Sequence, residues 1–157
     1  MTYFGQEIAS VIFLDITERL AFMFGDPVMK DEFVPEDVSW SQASIRFTGD
    51  MEGSLTLTVP HMLCFEIAAN ILGEEIGDLQ DIMISEDALK EMLNVVTGHV
   101  VPGLQGEDQY FTLSIPEYSV LPPAEASDLK HDPGSICFNL DGSPVLLALH
   151  VRESGAE

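Results

Sequence analysis

Cysteine and positive charge are both scarce in this chain. The two cysteines, Cys64 and Cys137, stand far apart inside apolar segments and lack a C-x-x-C spacing. They read as reduced, buried thiols of a cytoplasmic protein rather than as a disulfide or redox pair. Lysine and arginine total 6 against 27 acids, a formal charge of −21. Such a surface repels phosphate backbones and anionic lipid, which argues against nucleic acid and membrane as partners. It favours a partner with a basic face, although solubility or salt adaptation explains the same charge equally well. No apolar run approaches the ~18 residues that span a bilayer. The opening residues lack a basic segment followed by an apolar one, so no secretory signal is expected. His61, His99, His131 and His150 show neither an i,i+4 pairing nor an H-E-x-x-H, which speaks against a metal site. Ser114 and Ser135 have no nucleophile elbow around them, and no Gly-rich phosphate loop is present.

What is there suits one domain over residues 1–157, since 157 residues with 46% apolar content can bury a real core. Residues 5–24 repeat apolar side chains at helical spacing (Ile8, Val11, Ile12, Ile16, Leu20, Met23), and Gly25-Asp26-Pro27 is expected to stop that helix. Residues 26–40, acidic with two prolines, read as a loop. "ASIRFTGDMEGSLTLTVP" alternates on both sides of a Gly-Asp-Met-Glu-Gly turn and predicts a β-hairpin. Pro60 opens a second helix with a Leu63–Ile67–Ile71–Leu72 stripe, stopped by Gly73. An acidic linker over 74–84 leads to a third. Three strand-like runs follow, "YFTLSIPEY", "SICFNL" and "VLLALHV", with Tyr110 and Phe111 expected in the core. The order predicts an α+β domain with a largely antiparallel sheet and helices packed on one face. An acidic tail covers 152–157.

The third helix, "SEDALKEMLNVVTGHVVPGL", carries the chemistry. Ser85 is expected as its N-cap, with Glu86 and Asp87 in the first turn. On a wheel of about 100° per residue, Leu89, Leu93, Val96 and Val100 form one stripe. Asp87, Glu91, Asn94 and Gly98 fall opposite it, and His99 beside it. Asn94 and Gly98 are poor helix formers, Gly98 costing up to about 1 kcal/mol against Ala. A helix chosen only for stability would place Ala, Glu or Lys there. A solvated face with two tolerated poor choices is the plain alternative.

Asp87-x3-Glu91-x2-Asn94, followed after 21 residues by Pro116, resembles the signature of the CheC/CheX/FliY response-regulator phosphatases. The upstream "GSLTLTVPHMLCFEIAANILGEE" is similar to the hairpin and helix that precede it in CheX, and "AFMFGDP" to a CheX start. The resemblance covers roughly residues 5–151. No second motif copy lies on the first helix, since Glu18 is followed three residues later by Ala21 and Glu7 by Ser10, so the single-motif CheX type fits best.

The resemblance implies a phosphatase acting on the phospho-aspartate of a CheY-like receiver. An acyl phosphate is already activated, so the main need is a water held in line with the leaving oxygen. A carboxamide offers one water both a donor and an acceptor, the role assigned to Asn94. Glu91, by resemblance, docks against the receiver's lysine. Gly98 either admits the partner close to the backbone or is a packing accident. Asp87 matches the motif and so counts as a partner-binding candidate, yet its place in the first turn favours helix-dipole stabilisation as its role. The chain needs no metal of its own, because Mg²⁺ is expected in the partner receiver. A non-enzymatic CheX-like module that binds a receiver or flagellar partner is the alternative. A homodimer is expected, because 135–140 and 145–151 are apolar on both faces, which is hazardous at an open edge; CheX relatives pair such edges.

Overall fold

The computed structural model describes residues 5–73 and 82–153. Its centre is an antiparallel sheet, as the alternating runs predict, with seven strands where those runs give five. The strands are β1 (Gly25–Val28), β2 (Trp40–Gly49), β3 (Met51–Pro60), β4 (Phe111–Leu113), β5 (Glu117–Leu121), β6 (Ser135–Leu140) and β7 (Ser143–Glu153). They run in the order β1-β6-β7-β3-β2-β4, with β5 also on β2. The helices are α1 (Gln6–Ala21), α2 (His61–Leu72), α3 (Ile82–Gln105) and a short α4 (Pro123–Asp128).

The β2–β3 hairpin stands in the expected place with a tighter turn. Thr48 faces Glu52, so Met51 and Glu52 already belong to the strand. Odd-numbered residues of both arms, Ala43, Ile45 and Phe47 against Leu55, Leu57 and Val59, point to one side and are buried. Together with Val145, Leu147 and Leu149 of β7 they form the floor on which α1, α2 and α3 pack. The other side of the sheet is covered at one end only. There Phe33, Trp40, Leu121, Ala126 of α4, Cys137 and Leu146 make a second, smaller cluster.

β6 and β7 explain their own composition. Phe138 and Leu147 serve the helical side, Cys137 and Leu146 the second cluster. They are apolar on both faces because both faces are covered. They are also interior: β6 lies between β1 and β7, and β7 between β6 and β3. The expectation that these strands expose hazardous edges is therefore wrong. Among the described residues the open edges are β1, four residues containing Pro27, and the β4–β5 side. A strand-paired dimer would have to form there.

Other details differ from the sequence reading. α1 ends at Ala21 with Phe22 in the left-handed region (φ 55°), before the expected stop, and Gly25-Asp26-Pro27 belong to β1 instead. Its buried face is Ala9, Phe13, Ile16, Thr17 and Ala21, while Val11 is 68% exposed. The hydrophobic pattern misled because the buried side also takes small and polar residues, Ala9, Thr17 and Ala21. The loop expected over 26–40 contains most of β1 and a 3₁₀ turn at Lys30–Glu32. In α2, Leu63 and Ile67 are buried as expected but Leu72 is half exposed, and Gly73 (φ 71°) is the left-handed stop. Tyr110 is almost fully exposed rather than in the core. Most of the linker expected over 74–84, and the last four residues of the expected tail, lie outside the described residues.

Candidate functional site

α3 begins at Ile82, three residues before the expected N-cap. Ser85 is thus inside the helix and buried, not a cap. Asp87 then sits beyond the first turn, where the macrodipole effect has largely fallen away, and the dipole explanation for it loses its basis.

The two sides of α3 divide as the wheel predicts. Leu89, Leu93, Val96 and Val100 are each fully buried against the sheet, α1 and α2. Each such side chain contributes about 1.5–3 kcal/mol of burial, so the helix is held from behind. Outward lie Asp87 and Glu91, exposed, and Asn94 and Gly98, partly exposed. Among the described residues, no group of the protein hydrogen-bonds to the side chains of Asp87, Glu91 or Asn94. The carboxamide and the carboxylate, one turn apart, are therefore available to something outside the chain.

Gly98 has no internal packing reason. A Cβ built there meets nothing within 4 Å. Gly103, on the same helix, contrasts with it: a Cβ there would lie 2.9 Å from Ile8, so its glycine lets α1 pack. No packing inside the chain requires a glycine at Gly98. The sequence reading also overlooked Pro102 within the helix. Proline has no N–H, so the Gly98 carbonyl lacks its i→i+4 donor. At one point on the outward line the backbone is bare of side chain and freed of its usual helical partner. A Pro four residues after a Gly was a visible signal for this. His99, expected at the core edge, is exposed, its Nδ1 2.9 Å from the Val95 carbonyl.

Pro116 lies in a bulge between β4 and β5. Leu113 faces Phe47 and Glu117 faces Ser44, so Ser114, Ile115 and Pro116 oppose just Ile45 and Arg46. The expected single strand over 110–118 is split there. Proline fits because a bulged residue needs no ladder donor. The bulge leaves Ile115 87% exposed.

Behind the start of α3, a polar network ties the elements together. Ser41 Oγ lies 2.7 Å from His61 Nδ1 and 2.7 Å from the Tyr118 hydroxyl. Burial pushes the pKa of the neighbouring Cys64 thiol up to about 11, against a lowering effect of Ser41 and with the nearby Glu86 charge adding to the rise. Burial likewise raises the Tyr118 hydroxyl, against the lowering effect of its Ser41 bond. These groups join β2, α2 and β5 in one cluster, and none is placed as a reacting group.

The family model for the chemotaxis phosphatase CheX matches residues 41–138, a span that includes α3 and Pro116. The chain belongs to the CheX family. Solved structures repeat the fold at low identity. CheX of Vibrio vulnificus is 17% identical with a TM-score of 0.70, covering 96% of this chain and 97% of that one. The Desulfovibrio desulfuricans CheX is 15% identical with a TM-score of 0.68, covering 94% and 99%. The Borrelia burgdorferi CheX, solved in complex with CheY, BeF₃ and Mg²⁺, is 16% identical with a TM-score of 0.65, covering 94% and 97%. No curated protein matches the chain.

Proposed function

We propose that this CheX-family chain is a phosphatase for the phospho-aspartate of a CheY-like receiver. The observation that carries the reading is the outward line of α3. It presents an acid, an amide and a bare backbone on a helix rigidly backed by a buried stripe, with none of those side chains engaged internally. The crystallised complex of the Borrelia relative with CheY supports a receiver as the partner.

In this reading α3 enters the receiver's active site. Asn94 orients the attacking water by donating from its N–H and accepting at its carbonyl oxygen. Because hydrolysis of an acyl phosphate has little covalent work for the protein to do, positioning supplies most of the acceleration. Glu91 docks on the receiver's lysine. Asp87 extends the acidic edge one turn further, and Gly98 gives the partner clearance at the other end. The receiver supplies the lysine and Mg²⁺ that neutralise the developing oxyanions. The −21 surface then steers a basic-rimmed partner, and association slows as salt rises.

The test is release of phosphate from the host's stand-alone receivers, each phosphorylated with a small phosphodonor and mixed with the protein. Acceleration of one receiver's dephosphorylation is the expected result. Tight binding to a phosphorylated receiver without faster release would make the chain a non-enzymatic binding module instead.

A further inference from the structure

The sheet face turned away from α3 holds an open concavity of about 670 Å³ on the half that the second core cluster leaves uncovered. Its floor is two rows of side chains crossing four strands. One row is His150, Ser54, Arg46 and Ser114; the other is Arg152, Glu52, Thr48 and Thr112. The chain has six lysines and arginines, and two of them meet here.

Among the described residues two basic side chains have no acceptor, Lys90 on α3 and Arg46 in this concavity. Arg19 pairs with Asp15, Arg152 with Glu52, and Lys30 and Lys130 donate to backbone carbonyls. Among the described residues the Arg46 guanidinium has no acceptor, although the chain carries 27 acids. Of the hydroxyls around it, Ser114 is engaged, its Oγ accepting from the Arg46 N–H at 2.9 Å and donating to the Ile115 carbonyl at 3.4 Å. Nearer the covered end, Ser44 bonds Thr56 and Gln42 bonds Thr58 across the strands. Ser54, Thr48 and Thr112 make no such side-chain bond among the described residues. The one acid of the two rows, Glu52, is already neutralised by Arg152. Acids beyond about 8 Å are largely screened at physiological salt, so the net charge of the chain does not decide the local potential.

We propose that this concavity binds a small oxyanion-bearing molecule, anchored on the Arg46 guanidinium and flanked by hydroxyl donors. A guanidinium fork matches carboxylate and phosphate oxygens bidentately, and neighbouring hydroxyls complete their shells. His150 stands at one end of the row, held at Nε2 by Asp132 at 2.8 Å. The site is separated from α3 by the sheet, so it stands independently of the phosphatase reading.

The experiment is amide NMR of the labelled full chain at constant ionic strength, titrated separately with inorganic pyrophosphate and with citrate to about 10 mM, the range where millimolar affinities saturate. The expected result is saturable shifts at Arg46, Ser54, Thr48 and Ser114, weakened at least tenfold by Arg46→Gln and unchanged by Asn94→Ala. The arm that saturates first names the oxyanion. Three results would overturn the proposal: no saturable shift with either probe, shifts that survive Arg46→Gln, or movement of the same row with protein concentration alone. The last would make a second copy of the chain the occupant of this face.

Discussion

The inner and outer sides of α3 obey different rules. Inward, Leu89, Leu93, Val96 and Val100 are what burial demands, and each is fully covered. Outward, Asn94 and Gly98 are residues that folding does not ask for, one a weak helix former and the other the weakest except proline. Gly98 is not even excused by crowding, since open space surrounds it. Where a side of a helix gives up local stability without a packing reason, either an external partner accounts for it or a poor helix former is simply tolerated there, and substitution separates the two.

That contrast can be broken by substitution. The largest expected effect is on the inner side. Leu93→Ala should lose about 2–5 kcal/mol of stability, since a cavity adds to the lost transfer energy. Denaturant unfolding measures it, and a loss below about 1 kcal/mol would mean the stripe is not the support claimed. On the outer side, Glu91→Ala should weaken receiver binding by about tenfold, or 1.4 kcal/mol, with stability moved by less than about 0.5 kcal/mol. Isothermal titration and a thermal melt separate the two. Gly98→Ala should move them in opposite directions. The helix gains up to about 1 kcal/mol. Receiver affinity falls as the added methyl meets the partner. A stabilised variant with unaltered affinity would return Gly98 to the status of a tolerated poor choice.

Much of this was legible in the sequence. The hairpin, the α2 stop at Gly73, the inner stripe and the outer line each follow from a period or a turn residue that acts locally. What failed depended on tertiary context. Ser85 looked like a cap because nothing in a local window shows that Ile82 already begins the helix. Val11 looked like core, but the buried side of α1 is Ala9, Phe13, Ile16, Thr17 and Ala21, which leaves Val11 facing outward. β6 and β7 looked like dangerous edges because two-sided apolar alternation is equally the mark of a strand covered on both faces. α4 was missed because a six-residue helix has too few turns for a period. Arg46 raised no signal at all, since its lack of an ion-pair partner shows only once the strands are paired.

The far face offers the smallest effect and a pH dependence. Asp132 is raised by partial burial, but its bonds from His150 and the Gly134 N–H, with the nearby His150 and Lys30 charges, leave its pKa below the ordinary value. A depressed carboxyl contributes stability that is present above its unfolded pKa and is lost as pH falls through the folded one. Asp132→Asn should therefore destabilise at neutral pH by about 0.5 kcal/mol, a small figure because the pair is partly exposed. The difference from the parent should shrink as pH falls through the folded pKa of Asp132 and vanish once the carboxyl is protonated in both states. Chemical unfolding at several pH values measures the trend, and a difference that grows toward acid would reverse the sign claimed.

The central claim is that the outer side of α3 acts on a partner rather than on the fold, and Asn94→Ala tests it most directly. The measurement pairs phosphate release from a phosphorylated receiver with a melting curve of the same variant. The account predicts a rate loss on the order of 10², as for removal of one positioned polar group, with receiver affinity little changed. It predicts a melting temperature equal to or slightly above the parent's, because Ala is the better helix former. A folded Asn94→Ala protein that releases phosphate at the parent rate would contradict the account, and so would one that melts many degrees lower.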